Sequence, residues 1–140
     1  MHARQLLVLA VGILGTVTSA YAQDPRKEGW SFGATEFQAR CAPCHGSDAK
    51  GGGPVAKQRF TVPDLTTYAK RNGGVFPTEL AWQKIDGRPV AWDSKSMMPV
   101  WGQTFRHEMS TTPYPTKAPE TYVAAEIKAI LSYLETLQVK

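Results

Sequence analysis

The clearest hydrophobic pattern lies near the C-terminus. Val123, Ile127, Ile130, Leu131, Leu134 and Leu137 recur three and four residues apart, the spacing of one helical face. The pattern predicts a helix from Pro119 to about Gln138, with Pro119 and Glu120 suited to its first turn. Such a helix is about 30 Å long, enough to cross a small domain. Tyr133 falls on its flank. A second helix is expected from Trp30 to Cys41, with Gly33 and Phe37 on one face. Two short helices follow. One spans Asp64 to Arg71, capped by Asp64 and stopped by Asn72-Gly73. The other runs from about Thr78, a candidate cap, to Asp86, with Glu79 in its first turn and Gly87 ending it. Trp82 and Ile85 lie three apart and should pack inward. No strand pair is recognisable, so the pattern predicts an all-α domain. The remaining stretches read as loops: a polar, loose Gln23–Gly29, a glycine-rich Gly46–Pro63, and a proline- and threonine-rich Gln103–Lys117 with no assigned role.

The N-terminal apolar stretch has a different meaning. His2 and Arg4 precede Leu6–Val17, and Ala20-Tyr21-Ala22 fits small-x-small cleavage. Residues 1–22 therefore read as a secretory signal, cleaved after Ala22, followed by a flexible 23–29 and one domain over 30–140. A permanent membrane anchor would need about 20 apolar residues. Cleavage leaves 118 residues (140 − 22) and lowers the formal charge from +4 to +3 by removing Arg4. The charges are scattered, with no run of one sign, which is not the balance of a nucleic-acid binder.

The candidate chemistry sits in Cys41-Ala42-Pro43-Cys44-His45, which reads as a covalent haem-attachment site. Two thiols can add across the two vinyl groups of a haem, and a histidine directly after the second cysteine can reach the iron. In one helical turn, positions i, i+3 and i+4 share a face, so Cys41, Cys44 and His45 would point at one haem. A thioredoxin-like redox pair would need a buried apolar strand before the motif, but Gly33–Arg40 is polar and helix-like. A zinc site needs about four ligands; Cys41, Cys44, His45 and His107 are all the thiol and imidazole candidates of the mature chain. The glycine-rich loop lacks the Lys-Ser or Lys-Thr of a phosphate cradle and is expected to wrap the haem edge. A sixth iron ligand could come from Ser96-Met97-Met98-Pro99-Val100-Trp101-Gly102, because a thioether suits iron cycling between ferrous and ferric. Met97 and Met98 both remain open on that ground, as does a packing role for either. His107, in the proline- and threonine-rich loop, is expected to be exposed rather than a ligand.

Cys-Ala-Pro-Cys-His-Gly, the downstream Met-Pro and the terminal Ile-Leu-Ser-Tyr-Leu-Glu-Thr-Leu together resemble a monohaem class I c-type cytochrome over residues 30 to 138. The resemblance implies the small class I cytochrome c fold, with first and last helices crossing at Gly33 and Phe37 and Tyr133 packed there. It implies one covalent haem c, its iron bound by His45 and by the methionine directly before the proline, Met98. It gives Pro54 the carbonyl that accepts from the second ring nitrogen of His45. Trp101 is expected either along the pocket wall or in the general core. The implied function is periplasmic electron transfer without catalysis. The implied partners are a donor dehydrogenase and an acceptor oxidase or reductase, with membranes met only by docking and the chain a monomer. Lys50, Lys57, Lys70, Lys84, Arg88 and Lys95 could face an acidic partner. Other readings are a haem subunit of a dehydrogenase or oxidase complex, and a ligand-binding haem protein if Met98 does not coordinate.

Overall fold

A computed structural model describes residues 25–56, 60–88, 96–110 and 120–139. The signal segment, Lys57 and Lys95 lie outside these residues, and of 25–30 only the backbone is described. Among the described residues the structure is helical, with no strand.

The chain begins with a long helical run. Helix α1 (Pro25–Glu36) passes into a wide π turn (Phe37–Cys41) and then into α2 (Ala42–His45). The helix thus starts before Trp30, and Pro25–Gly29 of the segment expected to be loose are helical. The π turn has a local cause. Pro43 has no N–H to donate, and in a regular α-helix its ring would press on the carbonyl four residues earlier. The wider turn, in which the Ala42 N–H reaches Phe37 O, makes room just upstream. Gly46 ends α2 with φ +80°, a conformation open to glycine, and its N–H closes the turn on Ala42 O at 2.9 Å.

Two short elements come next, a 3-10 turn (Leu65–Thr67) and α3 (Tyr68–Arg71). Asp64 caps the turn as expected, its Oδ1 accepting from Thr66 N at 2.8 Å. Helix α4 (Thr78–Asp86) has its expected bounds and ends at left-handed Gly87. Thr78, however, is not the cap. Pro77 holds that position, and Thr78 is the first helical residue. Ile85 is buried and Trp82 half-buried against the core.

Helix α5 (Trp101–Ser110) corrects the sequence reading, which made Gln103–Lys117 a loop. Trp101, Phe105 and Met109, four apart, form its inner face, and Phe105 is fully buried. His107 is therefore on a helix, though exposed.

Helix α6 (Glu120–Thr136) crosses α1, and this is the most extensive contact between elements. The hydrophobic stripe explains it: Val123, Ile127, Ile130, Leu131 and Leu134 are buried, and Leu137 is partly so. Gly33 lets the backbones touch, since a Cβ there would lie 2.0 Å from Ala129 O. One turn on, the Phe37 and Tyr133 rings meet at 5.4 Å. Tyr133, beside the stripe, is buried in this contact with the first helical run, as the resemblance implies. After α6, Gln138 binds Ala69 N at 2.9 Å and Leu65 O at 3.0 Å, and Val139 N reaches Thr66 O at 2.8 Å, stitching the tail to the 3-10 turn.

Candidate haem site

Cys41, Cys44 and His45 lie at the end of the long helical run, where α1 is fixed by its crossing with α6. All three are half-buried, and neither thiol is in a disulfide. Burial pushes the Cys41 thiol up to about 12, against a smaller downward pull from Arg40, so it stays protonated at neutral pH. Burial also holds the His45 imidazole below its ordinary value, favouring the neutral ring that can donate a lone pair to a metal.

The glycine-rich loop folds back on this segment through backbone bonds at alternate residues. Gly51 N donates to His45 O at 2.7 Å, Gly53 N to Cys44 O at 3.0 Å, and Val55 N to Pro43 O at 2.9 Å. Gly53 permits the approach, because a Cβ there would lie 2.4 Å from Pro43 O. Pro54 falls between the two inward donors, in an exposed turn. The expected bond from the second ring nitrogen of His45 to Pro54 is not formed: His45 Nδ1 is buried and has no hydrogen-bond partner. The loop is registered by the backbone donors of Gly51, Gly53 and Val55.

The two methionines differ in environment. Met98 packs partly buried against the hydrophobic core, with its N–H 3.3 Å from Ser96 Oγ. Met97 is 64% exposed. Adjacent side chains in extended backbone point to opposite sides, and here the inward one precedes the proline. Trp101 opens α5 just beyond, half-buried and stacked on Phe105 with centroids 5.9 Å apart.

Two free thiols beside one buried, neutral imidazole suit a haem joined by thioethers and ligated by histidine. Half-buried Met98 carries a soft thioether, a donor type that suits haem iron. These residues fit the group. Of the cations considered for docking, Lys50, Lys70 and Lys84 are exposed, whereas Arg88 is engaged with Asp86 and Glu120.

Sequence reasoning missed the surroundings of Cys41. Arg40 Nε meets Glu36 Oε2 at 2.5 Å, its Nη1 meets Glu108 Oε1 at 2.7 Å, and its guanidinium lies 5.3 Å from the Phe105 ring centroid. Glu126 is buried nearby within the α6 stripe. The four-residue spacing of Glu36 and Arg40 was the available signal for the first pair. The position of Glu126, three residues after Val123 and four before Ile130, was the available signal for its burial.

No curated protein and no solved structure matches the chain. The family model for cytochrome c matches residues 31–138, from the middle of α1 to beyond α6. With that match spanning the crossing helices, the Cys41–His45 motif and Met98, the chain belongs to the cytochrome c family, whose members bind haem c covalently and transfer electrons through its iron.

Proposed function

We propose that the mature protein is an exported, periplasmic one-electron carrier whose iron is bound by His45 and Met98. The observation that carries this reading is the contrast between Met98, packed on the core, and Met97, 64% exposed. Bound haem c supplies the one-electron couple. The chain's own residues do the rest. Cys41 and Cys44 anchor the group, and burial keeps the His45 imidazole neutral. A thioether from Met98 raises the potential relative to a harder ligand. Pro99 restricts Met98 to extended backbone, so its direction is set before the group arrives. Held by both His45 and Met98, the group would have no open place for a substrate, and its chemistry would be limited to electron exchange. The N-terminal signal pattern supports export, since haem c attachment takes place outside the cytoplasm.

The test is a pair of single variants in purified holoprotein. Met98→Ala is expected to erase the sulfur-to-iron band at the red edge of the oxidised spectrum, lower the potential and admit cyanide. Met97→Ala is expected to keep the band. If Met97→Ala loses it instead, the ligand assignment is wrong. If wild-type protein lacks the band, the carrier reading gives way to a ligand-binding haem protein.

A further inference from the structure

Asp86 is a charged side chain that the core has taken in. It is 5% exposed and forms the last residue of α4. A carboxylate is costly to bury unless it is paired and hydrogen-bonded. Arg88, two residues on, meets it with two nitrogens. Nε donates to Oδ1, and Nη2 donates to Oδ2 at 3.1 Å. This is the fork in which a guanidinium fits a carboxylate. The third nitrogen, Nη1, donates to both Glu120 oxygens, at 3.2 and 3.0 Å, where α6 begins. Arg106 of α5 meets the same Glu120.

The chain packs back onto this pair when it returns to start α5. Gly102 is buried, and a Cβ there would overlap Asp86 Oδ1 and lie 2.7 Å from Arg88 Nε. Gly87, left-handed at φ +71°, faces Val100; a Cβ on it would lie 3.2 Å from Val100 Cα. Residues 86–88 and 100–102 are therefore in close contact. Val100 O also accepts from Gln103 N at 3.1 Å and Thr104 N at 3.3 Å, which joins it to the first turn of α5. Met98 stands only two residues before Val100, with Pro99 between them. Proline fixes its own φ and restricts the residue before it. Few torsions are left to absorb a movement of Val100 before it reaches Met98.

We propose that Asp86 and Arg88 are positioning residues for Met98. Their buried ion pair, with Gly87 and Gly102 packed at it, clamps Val100–Gly102 and so sets how often the thioether leaves the iron. The proposal rests on Met98 being the axial ligand. In that step Met98 withdraws its sulfur lone pair from the iron and later returns it; no electron or proton is transferred.

The test uses ferric holoprotein and cyanide, which can bind only after Met98 has left. R88A removes the fork. D86N removes the charge but keeps the shape, and covers the case in which R88A, with Asp86 left buried and unpaired, does not fold. Each is expected to keep the methionine-to-iron band and to take up cyanide roughly tenfold faster or more, the factor for one charge-assisted bond lost. R88K keeps a charge without the fork and should fall between wild type and R88A. Amide hydrogen exchange reads the clamp without reference to the iron. Gln103 and Thr104, the donors to Val100 O, should exchange faster in R88A and D86N, while Ile130 at the α1 crossing should not. A lower melting temperature with wild-type cyanide rates would make the pair structural only and overturn the proposal. Faster cyanide uptake with unchanged exchange at Gln103 and Thr104 would also overturn it. If wild-type protein lacks the methionine-to-iron band, the Met98 assignment falls and the proposal with it. A band that is present, with variants indistinguishable from wild type, overturns the proposal alone.

Discussion

Substituting Gly33 by Ala tests the helix crossing on which the haem cysteines depend. The added Cβ would lie 2.0 Å from Ala129 O and 2.5 Å from Ala129 C, both backbone atoms that no rotamer change can move. Restoring ordinary contact, with carbon and its neighbours about 3.5 Å apart, requires α1 and α6 to separate by roughly 1.5 Å. That separation reaches Phe37 and Tyr133 one turn away, whose rings meet at 5.4 Å, and opens the tightest part of the core. Overpacking of this kind costs about 1–3 kcal/mol, and backbone contact places the site at the upper end. Alanine's better helix propensity returns about 1 kcal/mol. The net expectation is a loss of about 2 kcal/mol, a fall in Tm of roughly 8–12 °C for a domain of this size. Thermal unfolding of holoprotein followed by far-ultraviolet circular dichroism measures it. The control is Gly73→Ala, where nothing lies within 4 Å and only the φ of +67° opposes a side chain. If Gly33→Ala melts at or above the wild-type temperature, the close crossing is not what fixes the two helices.

Two further outcomes concern the polar cluster. Because folding raises the proton affinity of Glu126, its contribution is fully present below the ordinary carboxylate pKa and is lost as pH rises through the folded value. E126Q should therefore match wild type in acid and exceed its stability near neutrality, by about 1.4 kcal/mol for each tenfold change in proton affinity on folding; parallel urea-midpoint profiles from pH 4 to 8 would contradict this. Arg40→Ala removes two charge-assisted bonds, to Glu36 and Glu108, and should cost about 2–3 kcal/mol in urea unfolding; a loss under about 0.5 kcal/mol would reduce the cluster to an ordinary surface pair.

What was legible in the chain was local. The α6 stripe, the Asp64 cap and the Gly87 stop each depend on residues within one or two turns, and each is found where the sequence puts it. The Cys41–His45 motif is legible because its spacing has few other uses. Helix α5 was missed because Thr111, Thr112, Pro113 and Pro115 gave the whole stretch from Gln103 the composition of a loop. The four-residue spacing of Trp101, Phe105 and Met109 would have recovered it. The same spacing places Glu126 between Val123 and Ile130 on the buried face, against its polar character. On the sequence it is a polar residue between Ala125 and Ile127, and its burial follows from the packing of α6 against α1, α4 and α5. The His45 Nδ1 atom, which the resemblance pairs with Pro54, is buried without a partner, and the loop's register is set by the donors of Gly53 and Val55.

The position of the Ser96–Trp101 segment also follows from charges that no motif announces. Met98 lies between two tethers. Upstream, Arg88 sits just past the Gly87 stop of α4, joined to Asp86 and bound to Glu120 at 3.0 Å. Downstream, Arg106 of α5 pairs with the same Glu120, at the first residue of α6. Both ends of the methionine segment are thereby referred to one carboxylate on the helix that also crosses α1. Arg40 adds the connection from the other side, running from the residue before Cys41 to Glu108 and Phe105 of α5. Glu120 and Arg106 are too exposed for these pairs to carry much stability. Their effect is geometric: they limit where the ends of the loop can go, while the buried faces of Phe105, Phe37 and Ile127 supply the binding energy of the core. The helices that carry the cysteine segment and follow the methionine segment are thus tied together by contacts between protein groups alone.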